Sequence, residues 1–268
     1  MAFIRLYKSS DFEATAHIVS STPHQCDEAP STALSRCAPI RGLLVDKQGH
    51  SPRTANQGLT SHLQCRDTLA SSLVGSEPAE RLAPYLWTHQ YTHLSPSTCF
   101  VLDDGQGRAV GYCIGTPDID TFMASYQSYV EKVLEPSSEI TRPADITTGR
   151  ELWTLPDGTV NETCLAQTAY NPTWLVMGGN EDVYAAGYQA TMHIDILEPW
   201  QGGGWGRKLI EALIEAVGRE KREGTRGLWI GAAKENRKVI PFYERMGFRM
   251  WEDSVNGLRM VRDIPLRQ

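Results

Sequence analysis

Residue patterning places this chain in the mixed α/β (α+β) class, and three stretches carry that assignment. The first is "HIDILEPWQGGGWGRKLIEALIEAVG", His193 to Gly218, where an alternating apolar run, a cluster of glycines and a long amphipathic run follow one another. The second is "STCFVLDD", "GQG" and "RAVGYCIGTP", two β-rich runs flanking an Asp-Gly turn. The third is "NRKVIPFYERMGF", a helix closed by Gly247, followed by the paired strands "FRMWEDS" and "GLRMVRD".

The chain has 268 residues, 41% hydrophobic and 22% charged, so a sizeable core is within reach and a single domain over 1–268 is expected. A net charge of -6 argues against a nucleic-acid partner, which calls for a basic patch. Six cysteines, at 26, 37, 65, 99, 113 and 164, form no close pair, so neither a zinc ribbon nor a redox pair is indicated. They read as free thiols of a reducing compartment. The start "MAFIRLYKSSDFEATAHIV" lacks the apolar region of a signal peptide, and no run of 18 apolar residues occurs. The expected address is cytosol or nucleus, without a membrane partner.

Element by element, "FIRLY" (3–7) reads as a strand, and Ser10 as N-cap of a helix with Phe12, Ala16 and Val19 on one face. From 21 to 64 the chain is rich in Ser, Thr, Pro, Gln, Gly and His, too long for an ordinary connection. It reads as a disordered or foreign insertion, with a functional lid as the other option. Joining "DFEATAHIV" to "CRDTLASS" across it makes one better helix. "EPAERLAPYLWTHQYTHL" keeps a helical period through Leu82, Tyr85 or Leu86, and His89 or Gln90, despite Pro84. His89 and His93 are four apart, but no Glu completes a metal motif, so they read as a surface or substrate-lining face. "FMASYQSYVEKVLE" reads as a helix with Phe122, Tyr126, Tyr129 or Val130, and Val133 inward. Residues 135–187 read as an irregular substrate-side insertion with short elements near 151–155 and 172–177. In "GYQATMHIDIL", Ile194 and Ile196 face one side of a strand, and His193, Asp195 and Leu197 the other. The helix after the glycines puts Leu209, Leu213, Ala216 and Val217 inward and Glu211, Glu215 and Arg222 outward. "RGLWIGAA" is a strand.

A strand, a glycine turn and a helix start make an anion site. The first helical amides lack internal partners, the helix dipole is positive there, and glycine lets a ligand reach the backbone. Gly202, Gly203, Gly204 and Gly206 line this turn, with amides from Trp205 and Arg207. A P-loop would need Lys-Ser/Thr where Arg207-Lys208 stands. The spacing of a dinucleotide fingerprint is not met either, since Lys208 and Leu209 follow. The pattern Gln/Arg-x-x-Gly-x-Gly/Ala is matched by Gln201 to Gly206.

On these residues the sequence resembles the GNAT superfamily of acyl-CoA-dependent N-acetyltransferases. "IDILEPWQ" before the turn, and Asn236 followed by "PFYERMGF" after it, are similar to the family's pattern, and 188–252 carries the likeness most strongly. The wording "HIDILEPWQGGGWGRKL" resembles the subgroup related to the acetyltransferase-like domain of O-GlcNAcases, which includes members read as inactive. The resemblance implies a mostly antiparallel sheet of six to seven strands, flanked by helices and splayed at the acyl-CoA site. It implies acetyl-CoA as co-substrate and no metal. The pantetheine arm would lie along the exposed backbone of Ile196 and Leu197, the diphosphate on Gln201 to Arg207, and Asn236 would bond the arm or place a water.

Acyl transfer to an amine needs a base, a donor to the thioester oxygen and an acid for the leaving sulfur. The resemblance gives Tyr243 the acid role, although it also fits a core tyrosine beside Phe242. Pro241, within the same helix, should distort or delay its first turn. Asp195 and His193 are candidates for the proton path by their strand face, each also readable as a hydrogen-bonded structural residue. Glu181, Asp182 and Tyr188 stay open. The expected function is an acetyl-CoA-dependent N-acetyltransferase acting on a primary amine of a small molecule or peptide; the alternative is an inactive acyl-CoA-binding or substrate-recognition module. Oligomeric state stays open, a homodimer included.

Overall fold

The computed structural model describes residues 1–21, 76–232, 236–254 and 257–265. The segment 22–64 and Cys26, Cys37 and Cys65 lie outside the described residues; Cys99, Cys113 and Cys164 are free and buried. No described helix is long and apolar enough to cross a membrane.

Strand β1 (Phe3–Leu6) leads into a 3-10 turn at Ser9–Asp11 and helix α1 (Phe12–Ser21). The cap differs from the expected Ser10. Asp11, held by both guanidinium nitrogens of Arg5, accepts from the amide of Lys8 at 2.8 Å and satisfies the turn from its far end. Helix α2 (Glu77–Trp87) and α3 (His89–Leu94) follow. The single helix read there breaks at Thr88, whose amide and hydroxyl both bond Pro84 O. Strands β2 (Phe100–Asp103) and β3 (Ala109–Thr116) form the expected hairpin.

Helix α4 (Ile119–Ala124) is capped by the Asp118 carboxylate on the Thr121 amide at 2.8 Å. A short α5 (Tyr126–Tyr129) and a π turn (Val130–Leu134) continue it, so the segment read as one helix is three pieces. Tyr126 and Tyr129 point into the core, and their hydroxyls bond Ala169 O and Tyr85 O at 2.7 and 2.8 Å. Within 135–187 a bridge joins Thr154 to Val160, and a π turn spans Thr173–Met177, near the two short elements expected there. Two further helices have no counterpart in the sequence reading: α6 (Glu162–Tyr170), capped by Asn161, and α7 (Glu181–Ala185).

Strand β4 (Tyr188–Ile196), helix α8 (Trp205–Glu220), β5 (Gly227–Ala232), α9 (Ile240–Arg245), β6 (Arg249–Ser254) and β7 (Gly257–Asp263) complete the order. The seven described strands form one sheet, β1-β2-β3-β4-β5-β7-β6, antiparallel except between β4 and β5. This is the mixed, mostly antiparallel architecture expected. Its two faces carry separate cores. Leu209, Leu213 and Val217 of α8 cover Met192, Leu228, Ile230 and Met260 on one face. Tyr91, Phe122, Tyr112, Ile114 and Trp229 belong to the core of the other.

Candidate acyl-transfer site

The parallel pair β4 and β5 is joined only at its start, through Tyr188, Ala190 and Thr191 opposite Gly227, Leu228 and Trp229. Beyond Thr191 the strands part, while β4 stays paired with β3 up to Ile196. The β3–β4 approach is close: a Cβ on Gly115 would collide with Thr191 O. The splay thus forms where the resemblance placed it.

Strand alternation decides which main-chain groups face this gap. The Leu197 amide donates to Val110 O at 3.0 Å, and its carbonyl accepts from the Trp200 amide at 2.8 Å. The Leu197 amide is thus committed to β3 and its carbonyl to the turn, so of the expected pair Ile196 is the one whose amide faces the gap. Main-chain groups of successive strand residues point to opposite sides, so those of Ile194 and Ile196 turn away from β3 and toward the gap.

The loop after β4 tightens into a 3-10 turn (Glu198–Trp200), and Gln201 closes it. Its amide bonds Glu198 O at 3.1 Å, and its side-chain Nε2 donates to Ile196 O at 2.7 Å. Gln201 thus braces the loop and adds no free amide to an anion seat, which corrects the expectation for it. The glycines divide by purpose. Gly202 and Gly204 have φ of 78° and 75°, with open space where a Cβ would stand. Both take the left-handed backbone that favours glycine, and Gly204 is the N-cap of α8. A Cβ on Gly203 would lie 3.1 Å from the Trp205 ring, and one on Gly206 3.4 Å from Phe242. Beside the ligand access expected of all four glycines, Gly202 and Gly204 thus answer a left-handed backbone and Gly203 a close approach to the Trp205 ring.

As the first residues of α8, Trp205, Gly206 and Arg207 have no carbonyl one turn back to bond, while the Lys208 amide already reaches Gly204 O at 3.3 Å. No acidic residue stands in the first turn, so the positive end of the helix is not neutralised. Arg207 is exposed and pairs with Glu211 at 2.8 Å, and Lys208 lies over the Trp205 ring at 4.3 Å. Asn236 precedes the 3-10 turn Arg237–Val239. Its side-chain oxygen is sealed from solvent with no partner among the described residues, an acceptor awaiting a donor. Open amides, a bare helix start and an orphaned amide oxygen fit a diphosphate with an amide-bearing arm. Among the described residues no three His, Cys, Asp or Glu side chains gather to hold a metal ion.

On the face of β4 opposite α8, Asp195 stands across from Tyr112 and His193 across from Ile114. The Tyr112 hydroxyl donates a short hydrogen bond to Asp195 Oδ2. Burial pushes the Asp195 carboxyl up to about 7, and the Tyr112 bond opposes that rise. Tyr112 is absent from the sequence-based candidates, because its pairing joins strands about eighty residues apart along the chain and leaves no local signal. The His193 ring is 5.2 Å from that of Tyr91.

Tyr243 lies in α9, where Pro241 falls in the first turn and does no damage. The helix starts late, after the 3-10 turn, as Pro241 implied. The Tyr243 ring packs edge-on to Phe242 and Phe248 at 5.2 and 5.4 Å, and no described hydrogen bond engages its hydroxyl. Burial, aided by Cys113 and Asp195, holds its pKa well above the usual tyrosine value.

The remaining candidates are engaged elsewhere. Asp182 pairs with Arg259 and accepts from Trp251 Nε1, Tyr188 bonds Asp263 at 2.7 Å, and Glu181 accepts from Gly179. His89 is not a surface residue: it is 2% exposed and stacked on Phe12 at 3.7 Å. His93 bonds Ser128 at 3.2 Å.

A mixed sheet that opens ahead of an amide-lined helix start is the arrangement that the sequence resemblance implies. Residues 173–250 match the family model described as an acetyltransferase (GNAT) domain. The fold is similar to that of a solved structure described as SsHAT, with 23% identity, 98% of each chain covered and a TM-score of 0.61. The ribosomal-protein-S18-alanine N-acetyltransferase from Escherichia coli is a looser likeness, 14% identical over 100% of this chain and 97% of that one, at a TM-score of 0.38. A protein described as a putative phosphinothricin N-acetyltransferase stands similarly far, 13% identical over 98% and 99%, at 0.39.

Proposed function

We propose that this protein is an acetyl-CoA-dependent N-acetyltransferase that transfers the acetyl group directly to a primary amine of a small molecule or peptide. The observation that carries this reading is the parting of β4 and β5 immediately before the open amides of α8. Acetyl-CoA would supply an acyl group activated as a thioester. The amides of Trp205 to Arg207 would hold its diphosphate, the main-chain groups of Ile194 and Ile196 its amide-bearing arm, and Asn236 Oδ1 a donor on that arm.

Two ionisable groups beside the gap are pushed into complementary states. Asp195, brought to about 7, is ionised in part at neutral pH and suited to take the proton that the neutral amine gives up as it attacks. Tyr243, held protonated by burial, is suited to donate to the departing sulfur. His193, on the face it shares with Asp195, extends the proton path.

Thiol release, measured against a library of primary amines with and without acetyl-CoA, tests this. Amine-dependent release supports the reading. Binding of coenzyme A without release by any amine would replace it with the inactive binding module.

A further inference from the structure

Among the described aspartates, Asp195 is set apart by its partner. Arg5 bridges Asp11 and Asp103 at 2.6 and 2.8 Å, Arg222 reaches Asp118 and Asp120 at 3.4 and 2.7 Å, and Arg259 holds Asp182. Asp104, Asp253 and Asp263 also face arginines, while Asp145 and Asp157 cap local turns. Asp195 has a phenol instead. A buried carboxylate without a cation is costly unless its hydrogen bonds are good or its charge is needed. The Tyr112 hydroxyl binds Oδ2, whereas Oδ1 has no described partner and is not sealed from the surface. Tyr112 is fully buried on β3, directly across from Asp195, so its ring cannot swing away.

Building on the proposed function, we propose that Tyr112 is a positioning residue: its phenol fixes the Asp195 carboxylate through Oδ2 and leaves Oδ1 as the oxygen that takes the acceptor's proton. In the transfer, the amine nitrogen forms the bond to the acyl carbon and the carbon–sulfur bond breaks. The amine proton goes to Asp195 Oδ1 and Tyr243 gives its proton to the sulfur, so the thiol leaves neutral; net return of the proton held by Asp195 to the Tyr243 phenolate restores both groups. Tyr112 keeps its own proton throughout. Burial, the Asp195 charge and the shared bond all hold that phenol far above the usual tyrosine value, so it acts as a donor and not as a relay. Among the described residues, the other titratable groups that feel Asp195 are Cys113 of β3 and Tyr243 of α9, His193 lies on the same face of β4 with its ring against that of Tyr91 of α3, and none of these is a lysine or arginine.

The test is a carbon-13 NMR titration of the Asp195 carboxyl in the full chain, wild type and Tyr112→Phe, beside the pH profile of kcat/KM with an amine from the screen. Losing the donor to the charged form should raise the Asp195 midpoint by about one unit, and the acidic limb of the rate profile should follow it. A limb moved from about 7 to about 8 predicts about a fivefold loss at pH 7 that is recovered at high pH. A 3-fluorotyrosine at position 112, which keeps the ring and strengthens the donor, should move both midpoints down and covers the case of a Tyr112→Phe chain that fails to fold. An unmoved NMR midpoint overturns the hold of Tyr112, whatever the rates do. A moved midpoint with an unmoved limb overturns Asp195 as base, and with it the reading on which Tyr112's role rests.

Discussion

Gln201 reaches back five residues along the chain and donates from Nε2 to the main-chain oxygen of Ile196 at 2.7 Å. That oxygen belongs to the residue whose main-chain groups face the parted strands, so one side chain links the anion loop to the wall of the gap. Removing the bond should loosen the loop without touching the core, because Gln201 is exposed. For Gln201→Ala, a single hydrogen bond of about 0.5–1.5 kcal/mol corresponds to a rise of roughly 2–10-fold in the Kd for coenzyme A, read by calorimetry. An unchanged Kd would show that the loop keeps its shape without this brace.

Two glycines of the same loop should respond differently to alanine. Gly204 has φ of 75° and nothing within 4 Å of where a Cβ would stand, so Gly204→Ala meets no neighbour and suffers only backbone strain. That strain is about 1–2 kcal/mol, which for a chain of this size lowers Tm by roughly 2–8 °C. Gly206 lies inside the first turn of α8 without a positive φ, and its added methyl would touch Phe242 at 3.4 Å, an ordinary contact. Alanine is also the better helix former by about 1 kcal/mol, so Gly206→Ala should match or exceed the wild-type Tm. Equal losses in thermal denaturation would mean that the two positions share one constraint.

Tyr243→Phe removes one oxygen from a ring that packs between Phe242 and Phe248 and whose hydroxyl makes no described hydrogen bond. Stability and the Kd for coenzyme A should therefore hold nearly constant. If the phenol serves the leaving sulfur, kcat should fall by about 10²-fold, the lower end of what a positioned proton donor contributes. A loss of less than about twofold would remove Tyr243 from the chemistry and return it to the core.

How much of this is legible in the residues depends on how local each constraint is. The strand, turn and helix around Gln201 to Arg207 write their signals into adjacent positions, and so do the hairpin of β2 and β3 and the closing strands. Helix α6 is not legible because it is buried all round: Gln167 and Thr168 lie inside with Leu165 and Ala169, which erases the amphipathic period. Its one available cue is Asn161, whose side chain accepts from the Thr163 and Cys164 amides at 3.1 and 3.4 Å. His89 is misplaced by sequence because an imidazole spaced four residues from another looks like a polar face, while the stack on Phe12 joins α3 to α1 across 77 positions. Leu197 and Gln201 fall on the right stretch, yet which of their amides are free depends on β3 and on the turn at Glu198.

The same buried imidazole makes the fold sensitive to acid. His89 is stacked on Phe12 and edge-on to Tyr85, its Nδ1 is sealed without a partner among the described residues, and burial lowers its pKa to about 3. In the unfolded chain a histidine titrates near 6.5, so between about 6.5 and 3 the unfolded state binds a proton that the folded state refuses. Stability is therefore undiminished above that window and drains away as pH falls through it. His89→Phe keeps a flat ring against Phe12 and removes both the proton and the orphaned nitrogen. Its Tm should equal or exceed that of the wild type at pH 7.5, and the gap between them should widen steadily toward pH 4 in thermal denaturation. Curves that stay parallel across that range would mean that His89 takes up its proton inside the folded protein, and that the stack on Phe12 opens to let it.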